Sequence, residues 1–414
     1  MQPKSYLVIG GGLVGAASAL RLQAAGFAVT LIDPSDPRRA ASFGNIGHIA
    51  AEQVSPLASQ ESLRTFPRRL FGLGGPLDFR WRDAGLWGPW ALRFIAASGP
   101  ARHARGQVAL TALLAQALPA WRRLAVFSGA PDVVGRDGHA VVWMSEGAAE
   151  KGLRGWEHAP TGSAAFRPMG ADDLAPYEAV MRRAPVAGIR FSGTAQVSEP
   201  QAARDALITA FKAHGGEVVH ARVARVASGD RVVAHLEGGG VREADGVVIA
   251  AGAWAGRLMR DLGVEAPVIA ERGYSVHSAE HGWDETLPPT VFEEHSMVVS
   301  RFTSGLRASS YVEFGSPDAP GDPRKWRFLE RRLADLGIRF APEPDRWVGP
   351  RPTLPDYLPA IGRLERDPRI VYAFGHQHLG LTLSAVTAEL VANLAEGRAP
   401  AIDLSPFRIE RFAR

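Results

Sequence analysis

Three observations predict an α/β fold, α+β overall, in which a doubly wound parallel layer is joined to a second region built on a mixed, mainly antiparallel sheet. Residues 6–33, YLVIGGGLVGAASALRLQAAGFAVTLID, read as strand, Gly-rich turn, helix and second strand. The same βα character returns after Val197 and again at 370–394, where an apolar run meets a Gly-rich turn that opens a helix. Between these stretches, 132–195 and 265–314 alternate short β-rich runs with Gly and Pro, the pattern of a separate sheet.

The first stretch carries Gly10-x-Gly12-x-x-Gly15 at the strand-to-helix turn. Each glycine has its own physical role. Gly10 permits the sharp turn, Gly12 lets a pyrophosphate approach the backbone, and Gly15 lets the helix pack closely on the strand. Leu13 and Val14 open the helix, whose free amides favour phosphate. Asp33, followed by Pro34, lies about 20 residues on, where a carboxylate accepts from ribose hydroxyls. The stretch therefore reads as a dinucleotide site; the alternative is a Gly-rich turn with no ligand. It is apolar enough to be mistaken for a signal peptide, but Arg21 and Gln23 interrupt it and no small-residue cleavage site follows a basic start. The expectation is a cytoplasmic N-terminus.

The length of 414 residues suits two domains, and 46% hydrophobic content is ordinary for a globular protein. No other run is long and apolar enough to span a bilayer. With no cysteine, the chain has no disulfide, thiolate metal site, cysteine nucleophile or cysteine-linked flavin. The net charge is +4, with Lys4, Lys151, Lys212 and Lys325 the only lysines; the basic residues are scattered among acids, which argues against nucleic acid.

In chain order, AASFGNIGHIAA at 40–51 offers bare amides and small polar groups at Ser42, Asn45 and Gly47, suited to close approach of a second ligand segment. His48 is either satisfied by backbone neighbours or placed at the ligand. The Trp81, Trp87 and Trp90 stripe reads as core, with a membrane or partner contact as the alternative. Residues 107–127 read as one long amphipathic helix that Pro119 bends. A helix over 200–214 begins with Pro and ends at Gly215-Gly216. Strands follow over 217–226, 230–236 and 246–251, the last running into Gly252-Ala253-Trp254, a second backbone approach to a dinucleotide or an ordinary strand-to-helix turn. The segments 265–278 and 297–314 read as β, and 323–336 as a helix with a solvated charged face.

These pieces resemble the FAD-dependent oxidoreductases of the D-amino-acid oxidase type, and among them the bacterial D-amino acid dehydrogenases. The resemblance covers nearly the whole chain and is carried by VIGGGLVGAASALRLQAAG with Asp33, SFGNIGHIA, VVIAAGAWAG, ERGY at 271–274, SGLRASSYVEFG, WVGPRPTLPDYLPAIG and YAFGHQHLGLTLS. It implies a Rossmann-like FAD domain assembled from 1–75, 195–263 and 345–414, with a substrate domain from 76–194 and 264–344. It implies that Gly10, Gly12, Gly15 and Asp33 hold the ADP half and that Ser42, Asn45 and Gly47 line the flavin side. Val223 would meet the adenine region, Ala251, Gly252 and Trp254 the pyrophosphate turn, and Gly375, Gly380, Leu381 and Thr382 the flavin ring. His376 and His378 form an HxH pair with no third ligand in sequence, so they are expected at the flavin and not on a metal.

Arg307 and Arg351 match the family's arginines near the substrate. A planar guanidinium grips a carboxylate through two parallel hydrogen bonds, fixing position and angle. Arg351 could equally hold its Pro-rich turn or the flavin, and Tyr274 and Tyr311 are either pocket residues or packed tyrosines. The Ala308-Ser309-Ser310-Tyr311 segment departs from the family's small Ala/Gly-Gly-Thr pattern, which leaves substrate size open. The implied reaction is hydride transfer from Cα of a D-amino acid, D-proline or hydroxy-D-proline to flavin N5, with His48 a candidate to deprotonate the amine. A quinone or an electron-transfer protein stands ahead of oxygen as acceptor. A glycine or sarcosine oxidase, and a flavin-binding subunit of a hetero-oligomer, are the alternatives. The expected location is the cytoplasm, with room for a peripheral contact at the inner membrane face.

Overall fold

The opening apolar run forms the strand Ser5–Ile9, and its alternation decides what surrounds it. Tyr6 and Val8 point into one core, Leu7 and Ile9 into another. A strand buried on both faces belongs inside a parallel sheet, and the computed structural model, which describes residues 3–34 and 36–413, places it there. The sheet has six strands in the order Glu217–His220, Ala28–Asp33, Ser5–Ile9, Gly246–Ile249, Ile370–Phe374 and Ala360–Arg363. The first five are parallel and the last pairs antiparallel. On one face lie the helices Leu13–Ala24, Pro200–Ala213 and Gly380–Ala395, packed through small residues such as Ala16, Ala17 and Ala385. On the other lie the short helix Ala255–Asp261 and a three-stranded antiparallel sheet, Val223–Ser228, Val232–Leu236 and Val241–Ala244.

The second region is a nine-stranded sheet. From one edge it runs Asp345–Thr353, Ile269–Ser278, Gly305–Gly315, Met297–Phe302, Thr290–Phe292, Ala140–Trp143, Ala187–Ser192 and Ala165–Pro168, with Leu77–Phe79 joining Gly305–Gly315. Most pairs are antiparallel; Thr290–Phe292 with Ala140–Trp143, and Gly305–Gly315 with Leu77–Phe79, are parallel.

The structure differs from expectation in four places. Asp345–Thr353, beyond the boundary expected at 345, belongs to the second sheet through its pairing with Ile269–Ser278. The strand expected over 217–226 is two strands in different sheets, the chain turning at Ala221 and Arg222. The single helix expected over 107–127 is Pro100–Leu114 and Ala117–Phe127. Pro119 has no N–H to give the carbonyl of residue 115, so the first helix ends there and the proline sits in the first turn of the next. Finally, the tryptophans divide: Trp90 is buried at 5%, whereas Trp81 is 78% exposed beside the helix Ala84–Ala97, which also exposes Leu86, Leu92 and Ile95.

Candidate active site

A cavity of about 730 Å³ opens where the carboxyl ends of the parallel strands meet the second sheet. Ile9 with Gly10, Ile32 with Asp33, Ala250 with Ala251, and Ala373 with Phe374 bring four strand ends to it. Two helices point their N-termini at the same space. Leu13–Ala24 starts at Gly12 and Gly380–Ala395 at Leu379, and neither has a side-chain cap or an acid in its first turn. Their free amides are therefore left for an anion or a ring carbonyl.

The three fingerprint glycines do separate work. Gly10 has φ 104°, and a Cβ there would lie 2.5 Å from the Ala250 carbonyl oxygen. A Cβ on Gly15 would lie 1.7 Å from the Gly10 oxygen, so this glycine brings helix onto strand and does not itself face the cavity. A Cβ on Gly12 would meet nothing within 4 Å: the backbone there borders open space, as a pyrophosphate requires. Asp33 accepts from the Gly11 amide at 2.6 Å, and Arg204 pairs with its other oxygen at 3.4 Å while donating to the Gly11 carbonyl at 2.6 Å. Burial pushes the Asp33 carboxyl up, and the Gly11 amide and Arg204 oppose it. Sequence reasoning misses Arg204 because its partner stands 171 residues away.

Leu13, Val14, Pro34, Ser42, Asn45, His48, Val223, Ala251, Gly252, Trp254, His376, His378, Gly380 and Leu381 all line the cavity. Gly47, Gly375 and Thr382 stand behind it. Gly47, at φ 73°, fits against the Phe302 ring and accepts no side chain; its amide donates to Asn45 Oδ1 at 2.7 Å. Thr382 ties the 42–48 loop to the last helix, its hydroxyl accepting from the Ala50 amide at 3.0 Å and donating to the His48 carbonyl at 3.2 Å. Gly375, at φ 77°, packs on Leu354. His376 bonds Thr387 Oγ1 at 3.1 Å, and burial pulls its ring down to about 3. His378 is lowered by burial and lies in the fields of Glu271, Arg351 and Glu52.

The second sheet supplies the opposite wall. Arg351 stands directly across from Glu271 in the strand register, its Nη1 3.5 Å from Glu271 Oε1. Gly273 makes room for it, since a Cβ there would lie 2.3 Å from Arg351 Nη2. Glu271 is 3% exposed, and its other oxygen accepts from Thr353 at 2.9 Å and Tyr357 at 3.1 Å. Among the described residues no hydrogen bond is made by the Arg351 guanidinium, so it is held by charge on one side and open to the cavity on the other. Tyr311 also lines the cavity. Gly273 pairs with Val312 but Tyr274 pairs with Ser310, so Tyr311 is the extra residue of a β-bulge, with φ 60°. Bulges re-aim side chains beside active sites, and a tyrosine held at positive φ marks a conformation the surrounding sheet enforces.

Two expected pocket residues are not brought there. Arg307 donates to the carbonyls of Asn45 at 2.7 Å and Phe43 at 3.3 Å, lies 3.8 Å from Glu199 and stacks on Phe302. Its guanidinium is spent on fixing the 42–48 loop and does not line the cavity. Tyr274 is fully buried in a network with Glu313, Asp322, Arg272 and Lys325, donating to Glu313 at 3.0 Å and accepting from the Asp322 amide at 3.0 Å. Both sit on the strands the sequence predicted; alternation turns Tyr274 into the core behind the sheet, whereas Arg307 shares the face of Glu271 and Arg351 but lies further along it, opposite His277, where the 42–48 loop takes up its guanidinium.

The open backbone at Gly12, the two uncapped helix N-termini and the carboxylate at Asp33 fit the diphosphate and ribose of FAD, with the 42–48 loop and Gly380-Leu381 left for its ring. Fold and site together define a flavin-dependent oxidoreductase. The DAO family model, described as FAD dependent oxidoreductase, matches residues 5–394. A D-amino-acid oxidase of Bradyrhizobium diazoefficiens is 32% identical over 98% of both chains. A D-amino acid dehydrogenase of Paramagnetospirillum magneticum is 30% identical, again over 98% of each. Among solved structures, glycine oxidase from Geobacillus kaustophilus superposes with a TM-score of 0.73 at 21% identity over both whole chains. L-proline dehydrogenase from P. horikoshii superposes with a TM-score of 0.71 at 16% identity, covering 99% of this chain and 98% of that one. The chain belongs to the DAO family of FAD-dependent oxidoreductases.

Proposed function

We propose that this enzyme oxidises a D-amino acid or a cyclic imino acid such as D-proline or hydroxy-D-proline to its imine. The observation that carries the reading is Arg351: a guanidinium on the cavity wall, charge-paired on one side only and facing the region bounded by the 42–48 loop and the last helix. A substrate carboxylate there would be held through two parallel N–H bonds, which sets the angle of its Cα. Such orientation supplies much of the rate in a reaction whose chemistry belongs to the cofactor. FAD, when bound, accepts the hydride equivalent that the substrate Cα gives up. The names of the relatives at 32% and 30% identity support a D-amino acid substrate.

For the acceptor we propose a quinone or an electron-transfer protein. The exposed Trp81, Leu86, Leu92 and Ile95 face supports contact with a membrane surface or partner. Oxygen is the competing reading, favoured by the relative named an oxidase. The test is turnover of a panel of D- and L-amino acids, prolines, hydroxyprolines, glycine and sarcosine with an artificial dye and with oxygen alone. Dye reduction by D-compounds with little peroxide is the expected result. Peroxide formed as fast as dye is reduced would make it an oxidase, and preference for glycine or sarcosine would displace the substrate assignment.

A further inference from the structure

We infer that Arg69 takes a carboxylate on the side chain of the substrate, which makes the preferred D-amino acid a dicarboxylic one. The inference rests on the D-amino acid reading above and narrows it by assigning a second anion subsite in the same cavity. Five arginines line that cavity, and four of them are matched to acids. Arg39 pairs with Asp318, Arg222 with Glu237 at 3.2 Å, Arg257 with Glu237 at 3.9 Å and Arg351 with Glu271 at 3.5 Å. The Arg69 guanidinium has neither an acid within ion-pair distance nor a hydrogen bond among the described residues. The acids near Arg351 are committed elsewhere: Glu271 to Arg351, Thr353 and Tyr357, and the buried Glu52 to His48 at 3.1 Å.

Arg69 belongs to the Arg351 end of the cavity. Burial and Glu271 push the Tyr357 hydroxyl up, and Arg69 and Arg351 both oppose that shift. The position of Arg69 is also built into the fold. It closes the short helical turn Phe66–Arg69, and a Cβ on Gly75 would lie 2.2 Å from the Arg69 carbonyl oxygen, so glycine is what lets the chain fold back on this turn. The Gly75 amide donates to the Leu70 carbonyl at 3.0 Å, and Leu70 bridges to Leu77. The strand Leu77–Phe79 pairs with Val312–Phe314, and the Val312 amide donates to the Pro76 carbonyl at 2.8 Å. Pro76, Tyr311 and Val312 all line the cavity, so the segment that carries Arg69 is fastened to the wall at the Tyr311 bulge.

Arg69 is exposed as well as lining the cavity, which sets it where the cavity meets solvent. A substrate with its α-carboxylate on Arg351 gives a neutral side chain nothing to offer Arg69. A side chain that ends in a carboxylate brings the missing anion, and the guanidinium donates to it through two parallel N–H bonds. The isosteric amide presents an N–H to a group that only donates, and gains less. Arg69 has no partner to give up, so the new pair replaces water alone.

The test is kcat/KM of flavin-loaded wild type, Arg69→Met, Arg69→Lys and Arg68→Met on D-aspartate against D-asparagine and on D-glutamate against D-glutamine. In the wild type at least one acid is expected to exceed its amide about tenfold, the scale of a hydrogen bond to a charged group. Arg69→Met should bring that ratio close to one, with Arg69→Lys between. Arg68 lies in the same turn and is exposed but does not line the cavity. Its replacement by methionine removes the same charge and should keep the wild-type ratio. Binding of succinate and glutarate against butyrate, followed by perturbation of the flavin spectrum, makes the comparison without turnover: a diacid should bind more tightly than butyrate to the wild type and not to Arg69→Met. An absent preference in the wild type, one that survives Arg69→Met, an equal fall for acid and amide in that variant, or the same change in Arg68→Met would overturn the inference. Should Arg69→Met fold poorly, Arg69→Gln decides by the same ratio. If D-amino acids are oxidised without the preference, only the Arg69 assignment falls. If none of the four is oxidised, the D-amino acid reading has failed on its own, and the diacid comparison still decides whether Arg69 holds a carboxylate.

Discussion

Gly15→Val is expected to yield a protein that takes up no flavin. The added Cβ would stand 1.7 Å from the Gly10 oxygen, a backbone atom that has no room to yield because Gly10 is itself wedged against Ala250. The helix Leu13–Ala24 would have to lift off the strand Ser5–Ile9, carrying its N-terminal amides away from the cavity. Overpacking of this kind costs about 1 to 3 kcal/mol and often more, and displaced amides lose the pyrophosphate as well. Gly12→Ala is the informative contrast. Its Cβ meets no protein atom within 4 Å, so the apo chain should melt at the wild-type temperature. The methyl would nonetheless intrude on the bound phosphates, and a weakening of about a hundredfold, close to 2.7 kcal/mol, is expected in FAD affinity. Thermal melting of the apo protein and titration with FAD separate the two effects.

The second large effect is expected at Arg351. Replacing it with methionine removes the carboxylate's partner and leaves Glu271, at 3% exposure, facing the cavity without its countercharge. Truncating one member of a buried charged pair costs about 2 to 5 kcal/mol, so kcat/KM should fall by roughly two to three orders of magnitude, mostly in KM. Arg351→Lys keeps the charge but not the fork, and should recover only part of the loss. Arg307→Met should behave differently. Its guanidinium holds the Asn45 and Phe43 carbonyls, so the variant should bind flavin less tightly yet show a near-normal KM once saturated with FAD. Steady-state kinetics at saturating FAD distinguishes a substrate arginine from a loop arginine.

What the sequence made legible were features written in local order. The fingerprint glycines, Asp33 and the Gly-rich start of the last helix could be read because each role needs a residue type at a fixed spacing. The two-sheet architecture was likewise visible as a change in period. Arg307 and Arg351 could not be told apart, since both are arginines on strands of one sheet. They share one face of that sheet, and only their places along it show that Arg351, opposite Glu271, reaches the cavity while Arg307, opposite His277, is taken up by the Phe43 and Asn45 carbonyls. The bulge at Tyr311 was equally hidden, because it exists in the pairing of Gly273 and Tyr274 with a distant strand. Glu52 had a sequence signal, four residues after His48, but this stretch is not a helix and the spacing carried no pattern. Its burial between His48 and His139, the latter from the other region of the chain, exists only in the fold.

The central claim is that this cavity holds FAD and presents an amino or imino acid to it. The most direct test is anaerobic mixing of the purified, flavin-loaded protein with matched D- and L-enantiomers, following the visible absorbance of the flavin. Rapid bleaching by the D-compound, none by the L-compound, and a much slower rate in Arg351→Met are the predicted results. A yellow protein that no amino or imino acid bleaches would contradict the assignment of substrate and point to a flavin-binding subunit, and a protein that takes up no FAD would contradict the account at its first motif.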